Sequence, residues 1–91
     1  MKDEVKHDKS GMRFYMPVEV GEAYVSYRME DDETIDFHET FTSPNLRGKG
    51  MAAKVVEAAL EYAREENLEV VPTCPYVKKY MEKNGYTAKE D

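Results

Sequence analysis

One amphipathic helix pattern divides the chain and limits the folds that it can adopt. Between positions 51 and 65, apolar residues recur with a period of about 3.6 residues, and charged residues occupy the opposite face. The apolar face consists of Met51, Ala52, Val55, Val56, Ala59, Leu60 and Ala63, and the charged face of Lys54, Glu57, Glu61, Arg64 and Glu65. A helix with a single apolar stripe has to pack that stripe against another layer of structure.

Two segments before the helix alternate between apolar and polar residues, as half-buried strands do. One extends from Ala23 to Met29 and the other from Ile35 to Phe41, with the acidic residues Glu30–Glu33 between them. A short polar connection of this kind favours an antiparallel hairpin. Arg13–Met16 is a candidate for a further strand.

The second of these strands has an irregular pattern. Ile35, Phe37 and Phe41 are expected to share its apolar face, but Glu39 interrupts that face. Glu39 can be an exposed residue near the strand end, or it can mark a bulge that shifts the alternation. The pattern leaves both alternatives open.

The residues after the helix predict one more strand and one more helix. Asn67 is a suitable left-handed helix stop, and Leu68–Val71 is a short apolar run typical of a buried strand. Pro75 suits the first turn of a short second helix that ends at Asn84-Gly85. We therefore predict an α/β (α+β) fold in which one long and one short helix pack on a mixed, mostly antiparallel sheet.

Size and composition narrow the function further. The 91 residues are enough for a single domain, predicted to span positions 1–91. A net charge of -6 disfavours nucleic acids and anionic membranes as partners. One cysteine cannot form an internal disulfide, and no metal motif can be built from it and two histidines. The sequence also has no long apolar run and no apolar N-terminal segment. These observations predict a cytoplasmic protein without a metal cofactor.

Chemistry is expected at the glycine loop that precedes the long helix. The segment Arg47-Gly48-Lys49-Gly50 places two glycines at the start of the helix. The first N–H groups of a helix have no partner inside it, and they attract phosphate oxygens. The segment Thr42–Lys54 carries three basic residues and no acidic one, so a bound diphosphate is predicted. The alternative is that the glycines only form a turn and the basic residues are solvated. The loop lacks the Gly-Lys-Ser/Thr of a P-loop. It matches the dinucleotide fingerprint in sequence, but its first glycine does not directly follow a strand and too little chain remains for a second mononucleotide-binding unit.

The segment Arg47–Ala52, in the pattern R-x-x-G-x-A, resembles the pyrophosphate loop of the GNAT superfamily of N-acetyltransferases. The similarity extends toward the C-terminus, where the family often has N-x-x-A-x-x-x-Y-x-x-x-G-F. At that spacing this chain has Cys74, Val77, Met81, Gly85 and Tyr86. The resemblance implies a reduced GNAT-type fold without the usual N-terminal helices. It also implies acetyl-CoA as the co-substrate and acetyl transfer to an amine as the reaction.

The resemblance also assigns candidate site residues. His38 and Cys74 are the catalytic candidates, because the segment Val71–Val77 is similar to that of a short GNAT branch with a proposed catalytic His and Cys. Met81 replaces the tyrosine that in many members protonates the CoA thiolate, and Tyr80 is rotated about 100° from it. The predicted contacts to the cofactor are Phe41, Thr42, Arg47, Gly48, Lys49, Gly50, Met51, Ala52, Cys74 and Tyr80.

Each assignment has an alternative that the residues alone leave open. His38 can be an ordinary strand residue, Cys74 can be a small buried hydrophobe, and Asp36 or Glu39 can be the base instead. His7 is given no role. At the level of function, the alternatives are a module that binds CoA without turnover and an interaction domain without a ligand. The acceptor amine, either a small molecule or a protein tail, is not identified.

Overall fold

In the computed structural model, which describes residues 5–89, five strands form one sheet and two α-helices pack against it. A single 3-10 turn, Pro44–Leu46, precedes the first helix. In chain order the elements are β1 (Lys6–Asp8), β2 (Arg13–Tyr15), β3 (Ala23–Asp31), β4 (Thr34–Thr42), α1 (Met51–Glu65), β5 (Glu69–Pro72) and α2 (Pro75–Asn84). Neither α-helix in this part of the chain is long and apolar enough to cross a membrane.

The strands lie side by side in the order in which they occur along the chain. The pairs from β1 to β4 are antiparallel, and β4 pairs with β5 in parallel. The parallel pair is possible because α1 carries the chain back across the sheet between the two strands. The predicted mixed, mostly antiparallel sheet with one long and one short helix is thus confirmed.

Both helices cover the same face of the sheet. Their buried side chains belong to one core cluster with the inward-facing residues of β2 to β5. Val55 and Leu60 of α1 and Val77 of α2 are almost completely covered there. The opposite face carries Tyr24, Ser26 and Arg28, which are half-buried or exposed, and Asp36, which pairs with Arg28 and is buried. The protein therefore has two layers, and the second face of its sheet is without a helix from the described residues.

The predicted helix boundaries agree with the structure. Asn67 has a φ of 57° just after α1, and Gly85 has a φ of 77° directly after α2. Both angles lie in the left-handed region that ends helices. Pro75 occupies the first turn of α2, as expected from its fixed φ and missing N–H.

A β-bulge at His38 decides the question that the pattern around Glu39 left open. Ser26 pairs with Glu39 and Tyr27 pairs with Phe37, so His38 is the extra residue on β4. The shift changes the face of every residue that follows. Phe41 pairs with Tyr24, and the two rings lie 5.7 Å apart on the face without helices. The prediction that Phe41 shares the apolar face of Ile35 and Phe37 is therefore wrong.

The first strand, β1, is an element that the sequence analysis missed. Its central residue, His7, stacks on Phe14 with 4.0 Å between ring centroids. The His7 Nε2 atom lies 2.6 Å from the hydroxyl of Tyr27, and the edge of the ring contacts Tyr62 of α1. His7 is thus part of an aromatic cluster that fixes β1 to the sheet, a structural role that the residue pattern alone did not indicate.

Candidate functional site

A cleft opens where β4 and β5 part. Their pairing begins at Thr34 and Glu69 and ends at Phe37 and Pro72. Beyond this point β4 continues to Thr42, while the other chain segment turns into α2. The last five residues of β4 therefore have no parallel partner, and α2 forms the other wall. We call this space the β4–α2 cleft.

At the mouth of this cleft, the glycine loop and the first turns of both helices surround a hollow of about 210 Å³. It is called the loop hollow below. Six of the predicted cofactor contacts line it together with three residues that were not predicted. The lining residues are Thr42, Leu46, Arg47, Gly48, Gly50, Met51, Ala52, Ala53 and Tyr76.

The two glycines of the loop have the backbone that a close ligand contact requires. Gly48 and Gly50 have φ angles of 80° and 76°, which residues other than glycine rarely adopt. A Cβ atom added at either position would meet no protein atom within 4 Å and would project into open space. No side chain caps the first turn of α1, so N–H groups there are available to an anion. The loop hollow therefore fits a diphosphate.

The basic residues of the loop differ in their placement. The Nε atom of Arg47 donates a hydrogen bond to the carbonyl oxygen of Thr42 at 3.0 Å, which holds the guanidinium at the end of β4. Arg47 is exposed and lines the loop hollow. Lys49 is also exposed, but neither it nor Phe41 lines the hollow.

Cys74 lies at the base of the β4–α2 cleft, one residue before α2. Its backbone N–H donates to the carbonyl oxygen of Phe37 at 2.9 Å. Its Sγ atom lies 3.3 Å from the Oγ1 atom of Thr40, and either group can be the donor. Cys74 is only 6% exposed and belongs to the core cluster. The structure therefore places this thiol beside the unpaired part of β4, in a nearly closed environment.

His38 is exposed at the bulge of β4. It directly follows Phe37, whose carbonyl oxygen accepts the hydrogen bond from the backbone N–H of Cys74. Within residues 5–89, no hydrogen bond or ion pair holds its imidazole ring. Glu39 is exposed next to it. Asp36 is different, because its side chain is 3% exposed and its Oδ2 atom lies 3.4 Å from the Nε atom of Arg28. Of the candidate bases, His38 and Glu39 are accessible and Asp36 is not.

Met81 and Tyr80 of α2, at and beside the position of the family's tyrosine acid, do not line the loop hollow. Met81 is 2% exposed and packs in the core. Tyr80 is half-buried, and burial is the main factor that raises its pKa, with a further contribution from Glu57. Tyr80 lines a groove between the two helices rather than the loop hollow.

Two contributors to this region were not among the predicted site residues. Tyr76 lines the loop hollow from α2, and Thr40 contacts the thiol of Cys74. Tyr76 could have been noticed as an aromatic residue in the first turn of a helix beside the predicted cleft. The contact of Thr40 depends on the bulge, which turns this residue toward α2.

Comparison with known proteins agrees with this geometry. A family model of GCN5-related N-acetyl-transferases matches residues 13–89. The chain belongs to this family. Protein NATD1 of Xenopus tropicalis is 29% identical to it over 82 residues, which cover 88% of this chain and 75% of that protein. An uncharacterized N-acetyltransferase of Archaeoglobus fulgidus is 36% identical over 55 residues, covering 60% of this chain and 37% of the other.

Solved structures of the family share the fold. The NMR structure of a GCN5-like putative N-acetyltransferase from Staphylococcus aureus superposes with a TM-score of 0.72 and 29% identity, covering 99% of this chain and 94% of that chain. An aminoglycoside N-acetyltransferase in complex with CoA gives a TM-score of 0.51 at 16% identity, covering 87% and 69% of the two chains. The predicted reduced GNAT-type fold is thus confirmed.

Proposed function

We propose that this member of the family transfers the acetyl group of acetyl-CoA to an amine. The observation that carries the proposal is the loop hollow, in which Gly48 and Gly50 leave backbone N–H groups open at the start of α1. The hollow lies between the end of β4 and Tyr76 of α2, so it opens into the β4–α2 cleft. A diphosphate bound in the hollow directs the rest of acetyl-CoA into that cleft.

In this proposal His38 is the base. An amine acceptor arrives as an ammonium ion, and the exposed imidazole accepts one of its protons. The neutral nitrogen then attacks the carbonyl carbon of the thioester, a C–N bond forms, and the C–S bond breaks. The second proton leaves the nitrogen to solvent, and the CoA thiolate takes up a proton as it departs. Glu39, equally exposed at the bulge, is the alternative base.

Cys74 is proposed to act at the departing thiolate. It can either relay the acetyl group as a thioester or donate the thiol proton to the CoA sulfur and regain a proton from solvent. The 6% exposure of Cys74 favours the second role, because an acetylated sulfur needs room that the closed environment does not offer. The hydroxyl of Thr40, 3.3 Å away, is placed to orient the thiol.

The proposed acceptor is a cationic amine, either a small molecule or a protein tail. His38 and Glu39 are accessible on the part of β4 that no helix covers, so the acceptor can approach without a deep pocket. Glu39 supplies negative charge beside the base. The single, unpaired cysteine further favours a reducing, cytoplasmic setting.

One observation favours a second candidate function, a module that binds CoA without turnover. Met81 stands where the resemblance implies a tyrosine acid, and it is buried in the core. A thioether has no proton to donate. If Cys74 does not replace that acid, the cleft can hold CoA and still fail to catalyse transfer.

The decisive experiment measures time-dependent release of free CoA from acetyl-CoA with a panel of amines, alongside equilibrium binding of CoA. Release that depends on an amine supports the transferase. Binding without release supports the binding module, and a failure to bind any CoA species contradicts both. Amide shifts on addition of CoA are expected to be largest from Arg47 to Ala52.

A further inference from the structure

A second hollow lies at the end of α1 that is farther from the glycine loop. It has a volume of about 420 Å³ and is bordered by the β1–β2 turn, the β3–β4 turn and the end of α1. We call it the methionine hollow, because Met12 and Met29 line it. Among the residues that the structure describes, none lines both this hollow and the loop hollow. Tyr62 of the methionine hollow follows Ala53 of the loop hollow by nine residues, or about 14 Å along the helix axis, so the two hollows are separate sites.

Met29 is open to solvent although it lies on the face of the sheet that the helices cover. It pairs with Ile35 on β4, which is completely buried there. Met29 itself is 42% exposed. α1 ends at Glu65, and the residues that follow it border the hollow without closing it. The methionine hollow is therefore a part of the core face that the described residues leave uncovered.

Met12 adds an independent observation, because it combines backbone strain with an exposed apolar side chain. Its φ is 54°, in the left-handed region, and the residue is 44% exposed. Its N–H donates to the carbonyl oxygen of Lys9 at 3.2 Å, and its own carbonyl oxygen accepts from the N–H of Tyr27 at 2.9 Å. Glycine or asparagine would adopt the same backbone with less strain. A methionine at such a position indicates a use for its side chain beyond the fold.

The methionine hollow also offers aromatic rings to a ligand. Tyr27 and Tyr62 both line it. The hydroxyl of Tyr27 lies 2.6 Å from the Nε2 atom of His7, so the ring rather than the hydroxyl is left for a ligand. Ring faces attract cations, and thioether sulfurs make adaptable contacts with apolar and aromatic groups. These groups fit a ligand that has an apolar body and a positive charge.

The charged groups at the rim give the hollow a negative character. The carboxylates of Asp32 and Glu66 are exposed there, against the single ammonium group of Lys9. The end of α1 also presents carbonyl oxygens, whose partial negative charge adds to that of the carboxylates. The chain as a whole has a net charge of -6, which attracts cations and repels anions. An anionic ligand is therefore disfavoured in this hollow.

We propose that the methionine hollow binds an apolar organic cation. The apolar body of this ligand contacts Met12 and Met29, and its positive group lies against the tyrosine rings beside Asp32 and Glu66. This second ligand site goes beyond the proposed acetyl transfer and does not depend on it. A quaternary ammonium ion has no N–H to lose, so it can occupy the hollow but cannot accept an acetyl group.

The test titrates the full chain, without CoA, with benzyltrimethylammonium and follows isotope-labelled methionine methyl groups by NMR. The largest shifts are expected at Met12 and Met29. Met51, which lines the loop hollow, is the internal control and should shift little. Benzyl alcohol keeps the ring but has no charge, and it is expected to bind roughly fivefold more weakly. The phenylacetate anion should bind more weakly still.

Two variants test the two parts of the site. Met12→Asn is expected to bind the cation more weakly while its melting temperature does not fall, because asparagine tolerates the left-handed backbone. The double variant Asp32→Asn/Glu66→Gln is expected to bind the cation and benzyl alcohol equally well. Glu65→Gln is the matched control, since Glu65 is an exposed carboxylate of the same helix that does not line the hollow.

The outcomes that overturn the proposal are specific. The wild-type chain would fail to bind benzyltrimethylammonium, bind all three probes equally, or show its largest shifts at Met51. An unchanged cation affinity or a lower melting temperature in Met12→Asn would overturn it, and so would a preference for the cation that survives in the double variant. None of these measurements involves CoA, so the proposed function stands or falls separately, on the release of CoA.

Discussion

The Sγ atom of Cys74 lies 3.3 Å from the Oγ1 atom of Thr40, across the cleft between α2 and β4. The contact joins the only cysteine of the chain to the strand segment that has lost its parallel partner. It exists because the bulge at His38 changes which side of β4 each later residue faces. The placement of the thiol and the accessibility of the imidazole thus depend on the same irregularity.

We expect Thr40→Val to lower the rate of CoA release while the affinity for CoA stays close to that of the wild-type chain. Valine keeps the shape of the side chain but removes the hydroxyl that orients the thiol. Thr73→Val, at the exposed residue beside Cys74, is the control and should retain the wild-type rate. A rate that is unaffected by Thr40→Val would remove this hydroxyl from the proposed reaction.

Cys74 itself is expected to react slowly with alkylating reagents in the folded chain and rapidly after unfolding, because it is 6% exposed. Intact mass measurement after incubation with acetyl-CoA should show no acetyl adduct that hydroxylamine removes. Such an adduct, absent from Cys74→Ser, would instead establish the covalent relay. If Cys74→Ala releases CoA at the wild-type rate, Cys74 has no part in the reaction.

His38→Ala is expected to lower the rate of acetyl transfer and to leave the affinity for CoA nearly unchanged. Since the ring is exposed, free imidazole should restore part of the lost activity. Glu39→Gln tests the neighbouring candidate by the same assay. Activity that is lost in Glu39→Gln and retained in His38→Ala would transfer the role of the base to Glu39.

Gly50→Ala is expected to weaken the binding of CoA, because the added methyl group projects into the space that the diphosphate needs. The positive φ adds a strain of about 1 kcal/mol to the folded state. Gly85→Ala is the matched control, since Gly85 has nearly the same φ and equally open surroundings at the end of α2. Equal CoA affinities in the two variants would show that the strain, and not the loop hollow, causes the loss.

The stability of the protein is expected to fall as the pH is lowered through the titration of His7. Burial lowers the pKa of His7 below 6.5 in the folded chain. The unfolded chain therefore takes up the proton first, so the stabilisation is complete above 6.5 and is lost as the pH falls toward the lower folded-state value. Melting temperatures between about pH 7 and pH 5 measure this loss. His7→Phe, which keeps the stacking on Phe14, should flatten the dependence, and an unchanged slope would contradict the assignment.

Much of the fold follows from local patterns that the structure confirms. Three features each depend on a few neighbouring residues: the apolar stripe of α1, the end of this helix near Asn67 and the end of α2 at Gly85. The glycine loop was predictable for the same reason, because Arg47–Ala52 is a contiguous segment, whereas Tyr76 reaches the loop hollow from α2. Local chemistry is therefore enough to predict these features.

The features that the sequence did not predict depend on distant partners. The three residues of β1 are charged or titratable. Their pairing with β2, together with the stacking of His7 on Phe14 and its contact with Tyr62, holds this segment as a strand. The bulge at His38 depends on the register between β3 and β4, which a period of two residues cannot reveal. The groove between α1 and α2 that Tyr80 lines requires the relative position of the two helices.

The parallel pairing of β4 with β5 has a consequence for the order of folding. The hairpin of β3 and β4 closes through a short turn, whereas β5 can join β4 only after the whole of α1 has been placed. Loop-closure entropy makes such distant pairing late, and only four residue pairs hold it. We expect the amides of β5 and α2 to exchange hydrogen faster than those of β3 and β4, and bound CoA to slow that exchange. Equal protection of both regions without CoA would contradict this. Slower exchange in the presence of CoA would show that the ligand ties the late-joining segment to the start of α1.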